Sequence, residues 1–214
     1  MFSILLFFFI AHLGFAEVIK EIKTEEKVVF ITLDACETKT PSYLDKRITE
    51  FLVREKVPFT LFVSGKFILR NWEELKELYK TGLVSIQNHS FNHYLHMESL
   101  KEEEIIREVK ETERLIQTLT GKKPIFFRFP AGNYDERALK IVESLGYKVV
   151  HWTFPSGDPD PRITPEKLTN WVLQNVRPGA ILIFHANHRG YSTPYALPKI
   201  IKALREKGYS FGRI

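Results

Sequence analysis

Two histidines stand four residues apart in Asn88-His89-Ser90-Phe91-Asn92-His93, among small polar neighbours. On a helix or tight turn, positions i and i+4 share a face, and two imidazoles on one face reach a single ion. One H-x-x-x-H is a weak pattern, and two unrelated surface histidines are its plainer reading. Here the apolar run 83–87 leads straight into it, which favours a metal. Three further polar residues end apolar runs: Asp34 after Val28-Val29-Phe30-Ile31-Thr32-Leu33, Arg128 after Ile125-Phe126-Phe127, and His185 after Ile181-Leu182-Ile183-Phe184. A carboxylate at a strand end serves as general base or ligand, and a histidine serves as acid or base. An arginine among apolar residues needs a carboxylate, because an unpaired buried charge is costly. Asp34 and Asp158 are the available partners for Arg128. Buried strands ending in such residues are how a metal-assisted hydrolase is laid out.

The elements that must position these residues are legible as alternating strand-like and helical patterns. The strand-like runs are 27–33, 58–63, 83–87, 124–129, 147–152, 180–184 and 209–212. Thr40-Pro41 predicts a cap with proline at the first helical position. Asn71-Trp72-Glu73-Glu74 and Ser99-Leu100-Lys101-Glu102 read as capping boxes. Ile105, Ile106, Val109, Leu115, Ile116 and Leu119 keep one apolar face on a helix predicted over 99–120. Thr164-Pro165-Glu166 opens another helix, and Gly146 and Gly208 fit helix ends just before strands. Seven strands with intervening helices predict a small, distorted (β/α) barrel of about seven parallel strands; an open doubly wound sheet is the competing layout. Both place function at strand carboxyl ends.

The 214 residues suffice for one sizeable domain, and a hydrophobic share of 44% fills its core. A net charge of +5 favours anionic partners such as acidic glycans and is too mild for nucleic acid. Nothing points to an obligate protein partner. Residues 1–16 form an apolar run ending Gly14-Phe15-Ala16, the pattern of a signal peptide or an uncleaved anchor. The expected product is an exported chain, periplasmic or extracellular, with one domain over 17–214. Cys36 is the only cysteine, so no internal disulfide forms, and it reads as a small buried apolar residue.

With these motifs in order, the chain resembles the polysaccharide deacetylases, the NodB-homology domain of carbohydrate esterase family 4, over about residues 27–212. T-[FL]-D-D looks like Thr32-Leu33-Asp34-Ala35, H-[ST]-x-x-H is matched by His89-Ser90-Phe91-Asn92-His93, and R-x-P-x-G by Arg128-Phe129-Pro130-Ala131-Gly132. Trp152 and Asp158 match the fourth motif, with Pro159 where a tryptophan is expected, and Ile183-Phe184-His185 matches the fifth. The resemblance implies a distorted barrel and a deacetylase acting on a chitin-like glycan, peptidoglycan or xylan, with a divalent metal, often zinc.

It also implies roles. His89 and His93 hold the metal. Asp34 takes the proton of water, or joins the ligands. The Ala131 N–H stabilises the oxyanion, and His185 protonates the departing amine. Arg128, backed by Asp158, orients Asp34. Gly132 lets backbone approach the ligand, while Tyr94, Tyr134, Trp152 and Tyr191 offer faces to sugar rings. One departure stands out: the family's second motif-one aspartate, a metal ligand, is Ala35 here. Asp34, Glu37 and Cys36 are the candidate substitutes. Two further readings stay open: a non-catalytic glycan-binding protein, and a metal-independent amidohydrolase of the same superfamily.

Overall fold

The computed structural model describes residues 17–37 and 39–214, so the expected leader, 1–16, lies outside the described residues. Among the described residues, seven strands lie in one parallel sheet: β1 (Val28–Ala35), β2 (Phe59–Val63), β3 (Val84–Asn88), β4 (Phe126–Phe127), β5 (Lys148–Val149), β6 (Ile181–His185) and β7 (Ser210–Gly212). Their order is β5-β4-β3-β2-β1-β6, and β7 pairs with the start of β1. The sheet curls. Beyond β5 the chain continues to Phe154, which bridges Leu182 of β6, and Thr153 N donates to Ile181 O at 3.0 Å. Residues 19–22 fill the seam below, where Ile19 bridges Val150 and Glu21 bridges Ala180. The distorted barrel predicted from the alternation is the fold that forms.

Among the described residues, seven α-helices cover the outside: α1 (Lys46–Arg54), α2 (Gly65–Arg70), α3 (Trp72–Lys80), α4 (Glu102–Thr120), α5 (Glu136–Ser144), α6 (Pro165–Asn175) and α7 (Thr193–Glu206). The period of two along β1 sorts its side chains. Val29, Ile31, Leu33 and Ala35 join the apolar layer under the helices with Leu52, Phe67 and Leu197. Phe30 instead joins Phe62, Val150 and Ile181 within the curl. Thr32 and Asp34 follow Phe30 on that inner face, so Asp34 reaches the mouth of the barrel while Ala35 is packed toward the helices.

Thr164 caps α6 as expected, accepting from Lys167 N at 3.3 Å, and Gly146 and Gly208 end α5 and α7 at φ of 88° and 80°. Three helix starts differ. Thr40-Pro41 opens no helix; α1 begins at Lys46, capped by Asp45, because tertiary bonds hold the preceding segment out of a helix. Glu37 accepts from Ser42 N, and the Asn71 side chain accepts from Leu44 N at 3.0 Å and donates to Ser42 O at 3.0 Å. Asn71 therefore precedes α3 without capping it by its side chain. The long helix begins at Glu102, after a 3-10 turn over Met97–Ser99, and Glu104 accepts from Lys101 N at 2.9 Å.

Candidate active site

Asp34, from the end of β1, is 4% exposed and faces Arg128, which is wholly buried. One guanidinium nitrogen of Arg128 donates to Asp34 Oδ1 at 2.7 Å and to Thr32 Oγ1 at 3.0 Å. The others reach Val150 O at 3.4 Å and His151 O at 2.9 Å, and the guanidinium lies 4.0 Å from the centre of the Phe62 ring. A buried cation persists only with such partners. Burial pushes the Asp34 carboxyl up, but attraction to the Arg128 guanidinium, and to His185 beyond it, outweighs burial and holds the carboxyl below its ordinary range.

The expected backing of Arg128 by Asp158 is corrected here. The curl of the sheet sets Asp158 against β6. Asp158 Oδ1 accepts from His185 Nδ1 at 3.0 Å, and Oδ2 accepts from His185 N and Thr193 Oγ1, both at 2.7 Å. A carboxylate only accepts, so the proton of this contact sits on Nδ1. Burial opposes charge on His185, yet the neighbouring Asp158 prevails and raises its pKa above 6.5. The carboxylate and the histidine are thus tuned in opposite directions at one mouth.

His89 and His93 lie on a turn after β3, not on a helix, with Ser90 at φ 65° and His93 at φ 56°. Left-handed backbone away from glycine persists only where neighbours over-determine it. Asn88 Oδ1 accepts from Ser90 N at 3.0 Å, and Ser90 Oγ accepts from His93 N at 3.2 Å. Glu108, reaching in from α4, accepts from Phe91 N at 2.9 Å, Asn92 N at 2.7 Å and Asn92 Nδ2 at 2.5 Å. The result brings the two imidazole centres 4.8 Å apart, edge to face.

His89 Nδ1 lies 2.7 Å from Arg128 O and donates to it, so Nε2 is left facing Asp34 Oδ2 at 3.6 Å. An imidazole fixed by a backbone carbonyl, its other nitrogen free, is the usual posture of a metal-bound histidine. The buried His93 Nδ1 has no hydrogen-bond partner among the described residues. Burial lowers the pKa of both rings, that of His93 to about 2, and keeps them neutral, as metal ligands must be.

His89 Nε2, beside Asp34 Oδ2, and the unpartnered His93 ring are the donors a divalent ion would use. Among the described residues, no group of three or more His, Cys, Asp and Glu side chains is arranged around a common ion position. The other candidate third ligands are engaged elsewhere. Glu37 is paired with Arg70 through both oxygens. Cys36 is buried with its thiol pushed up to about 12 by burial, which suppresses the thiolate that binds metal.

Asp34, His89, His93, Asp158 and His185 line a cleft of about 270 Å³ with Ala131, Trp152, Gly157, Ile183 and Arg189. A larger groove of about 530 Å³ runs between α1 and α3 and holds none of them. Trp152 is stacked on His151 at 3.7 Å and forms one wall. Gly132 lies against that wall: a Cβ there would stand 2.5 Å from His151 and 2.6 Å from Trp152. Tyr134 is also corrected; it packs on Phe129 at 5.7 Å in the apolar layer beside α5, outside the cleft lining. Tyr94 and Tyr191 are about half exposed and outside the lining as well.

Glu108 and Arg189 belong to none of the sequence motifs. A signal for Glu108 exists: it interrupts the apolar stripe of α4 between Ile105 and Val109, where a surface carboxylate has no place.

A sequence profile of the polysaccharide deacetylase family matches residues 21–150. A peptidoglycan-N-acetylglucosamine deacetylase of Bacillus cereus is 29% identical over 194 residues, covering 89% of this chain and 88% of that protein. A crystal structure of a peptidoglycan N-acetylglucosamine deacetylase aligns with a TM-score of 0.83 at 25% identity, over 94% of this chain and 91% of that one. A CE4 family pseudoenzyme from Bacillus anthracis aligns with a TM-score of 0.81 at 27% identity, over 93% of this chain and 68% of that one. A mutant of that pseudoenzyme with restored enzymatic activity aligns equally well.

Proposed function

The chain belongs to the polysaccharide deacetylase family of hydrolases, and on that premise we propose that it hydrolyses acetyl groups from an acetylated, extracytoplasmic glycan. One observation carries this reading: a carboxylate paired with Arg128, its pKa lowered, and a histidine paired with Asp158, its pKa raised, face the same cleft. Titratable groups pushed apart in this way mark a base and an acid. Arg128 takes Oδ1 of Asp34 and leaves Oδ2 toward the cleft, where it removes a proton from the attacking water. Asp158 fixes the His185 ring through Nδ1, so Nε2 delivers a proton to the departing sugar amine. Ala131, held at φ 54° on the cleft lining, supplies its N–H to the oxyanion of the acyl carbon. Trp152 gives the sugar an apolar wall.

His89 and His93 would hold the metal, with zinc the usual choice for imidazole ligands. When bound it polarises the acetyl carbonyl and lowers the pKa of water, which compensates for the weak basicity of a carboxylate as acidic as Asp34. Export rests on the apolar run 1–16, and a cell-wall polymer is the substrate that export favours.

Ala35 supports a second reading, glycan binding without turnover, because a catalytic zinc site ordinarily has three protein ligands. Acetate release from peptidoglycan and chitooligosaccharide, before and after chelation and on re-addition of zinc, separates the two. Zinc-restored release supports the deacetylase. Glycan binding with no release under any of these conditions supports the second reading.

A further inference from the structure

Among the described residues, Arg189 is the only lysine or arginine lining the cleft, and its guanidinium makes no ion pair or hydrogen bond. The residues outside the description contain no Asp or Glu, so no carboxylate is hidden from it. The two acidic residues of the cleft are already engaged, Asp34 with Arg128 and Asp158 with His185 and Thr193. Arg189 therefore brings an uncompensated positive charge to the place where substrate must sit.

Its position is built. Arg189 N donates to Asn187 Oδ1 at 3.2 Å, and Gly190 N donates to Asn187 O at 3.0 Å, closing a tight turn after β6. Asn187 is wholly buried and anchors that turn to the β1 side of the barrel, donating to Cys36 O at 2.7 Å and Ser42 Oγ at 2.9 Å. A planar fork of donors, partly withdrawn from water and without an acceptor, matches a carboxylate better than a neutral hydroxyl.

We propose that Arg189 binds a carboxylate of the glycan, so that the preferred substrate is an acetamido sugar bearing an acidic substituent rather than a neutral chitin-like oligomer. This rests on the deacetylase reading for the reaction, while the binding preference is measurable without turnover. The probes are a peptidoglycan oligomer carrying the lactyl carboxylate of N-acetylmuramic acid, and the same oligomer as its methyl ester.

The full-length chain should bind the acid about tenfold or more tightly than the ester, the yield of one charge-assisted hydrogen-bonded pair. Arg189→Gln should abolish that preference, and Arg189→Lys should keep part of it, since lysine retains the charge without the fork. The ratio of kcat/KM for acid over ester should fall in parallel. Equal wild-type affinity for acid and ester overturns the proposal without any variant. So does an Arg189→Gln loss that is the same for both. If the binding preference holds but neither oligomer yields acetate, the assignment of Arg189 stands and the deacetylase reading fails.

Discussion

Asp34→Asn should destabilise the protein as well as silence it. The change keeps shape and volume but removes the charge opposite Arg128, which is wholly buried. Breaking a buried ion pair from one side costs about 3–5 kcal/mol, chiefly the penalty of the orphaned charge. Arg128 would retain Thr32 Oγ1, two backbone carbonyls and the Phe62 ring, which points to the lower end, about 3 kcal/mol. For a chain of this size that is a fall in Tm of about 6–12 °C. Urea denaturation of wild type, Asp34→Asn, Arg128→Met and the double variant gives the coupling directly, and the double variant should cost less than the sum of the singles.

The pH dependence has a definite sign. The carboxyl pKa of Asp34 is lower in the folded chain than the unfolded value of about 3.9. Its contribution is therefore fully present above about pH 4 and is lost as pH falls through the folded value. The gap between wild type and Asp34→Asn should close in acid. An Asn variant as stable as wild type at pH 7, or a gap that widens as pH falls, would refute the reasoning.

Three other outcomes follow from the same geometry. Glu108→Ala leaves the N–H groups of Phe91 and Asn92 without their acceptor, at about 1–3 kcal/mol each; a zinc titration should show weakened affinity, and unchanged affinity would show that Glu108 does not hold the histidine turn. Asp158→Asn removes the charge that raises the His185 pKa, so the alkaline fall of kcat/KM should move to lower pH, and an unmoved limb would rule out His185 as the acid. Ala35→Asp should cost the metal-free protein about 1–3 kcal/mol by overpacking the helix-facing layer, and zinc should recover stability if the new carboxylate swings round the strand end to the ion; an equal loss with and without zinc in thermal melts would show that it stays among the helices.

The strands and the site were legible for one reason. Buried parallel strands read as apolar runs, and a polar residue that ends such a run is conspicuous, as Asp34, Arg128 and His185 were. What the sequence hid depends on contacts between distant segments. Asp158 was paired with the wrong partner because only the curl that brings Phe154 to Leu182 sets residue 158 beside His185. Thr40-Pro41 carries the pattern of a helix start, but Glu37 and Asn71 bond Ser42 and Leu44 and keep the segment from forming one. Tyr134 reads alike whether it faces a sugar or packs on Phe129. Ala35 was seen as a lost ligand, but its packing toward the helices required the register of β1.

The most direct test is a stoichiometric one. Hydrolytic deacetylation yields one acetate for each new free amine on the glycan. Wild-type protein supplied with zinc should produce the two in equal amounts from peptidoglycan oligomers, and Asp34→Asn, even if folded, should produce neither. Acetate release by folded Asp34→Asn at the wild-type rate, or no release by wild type from any acetylated glycan, would contradict the assignment of Asp34 and His185 as base and acid of one cleft.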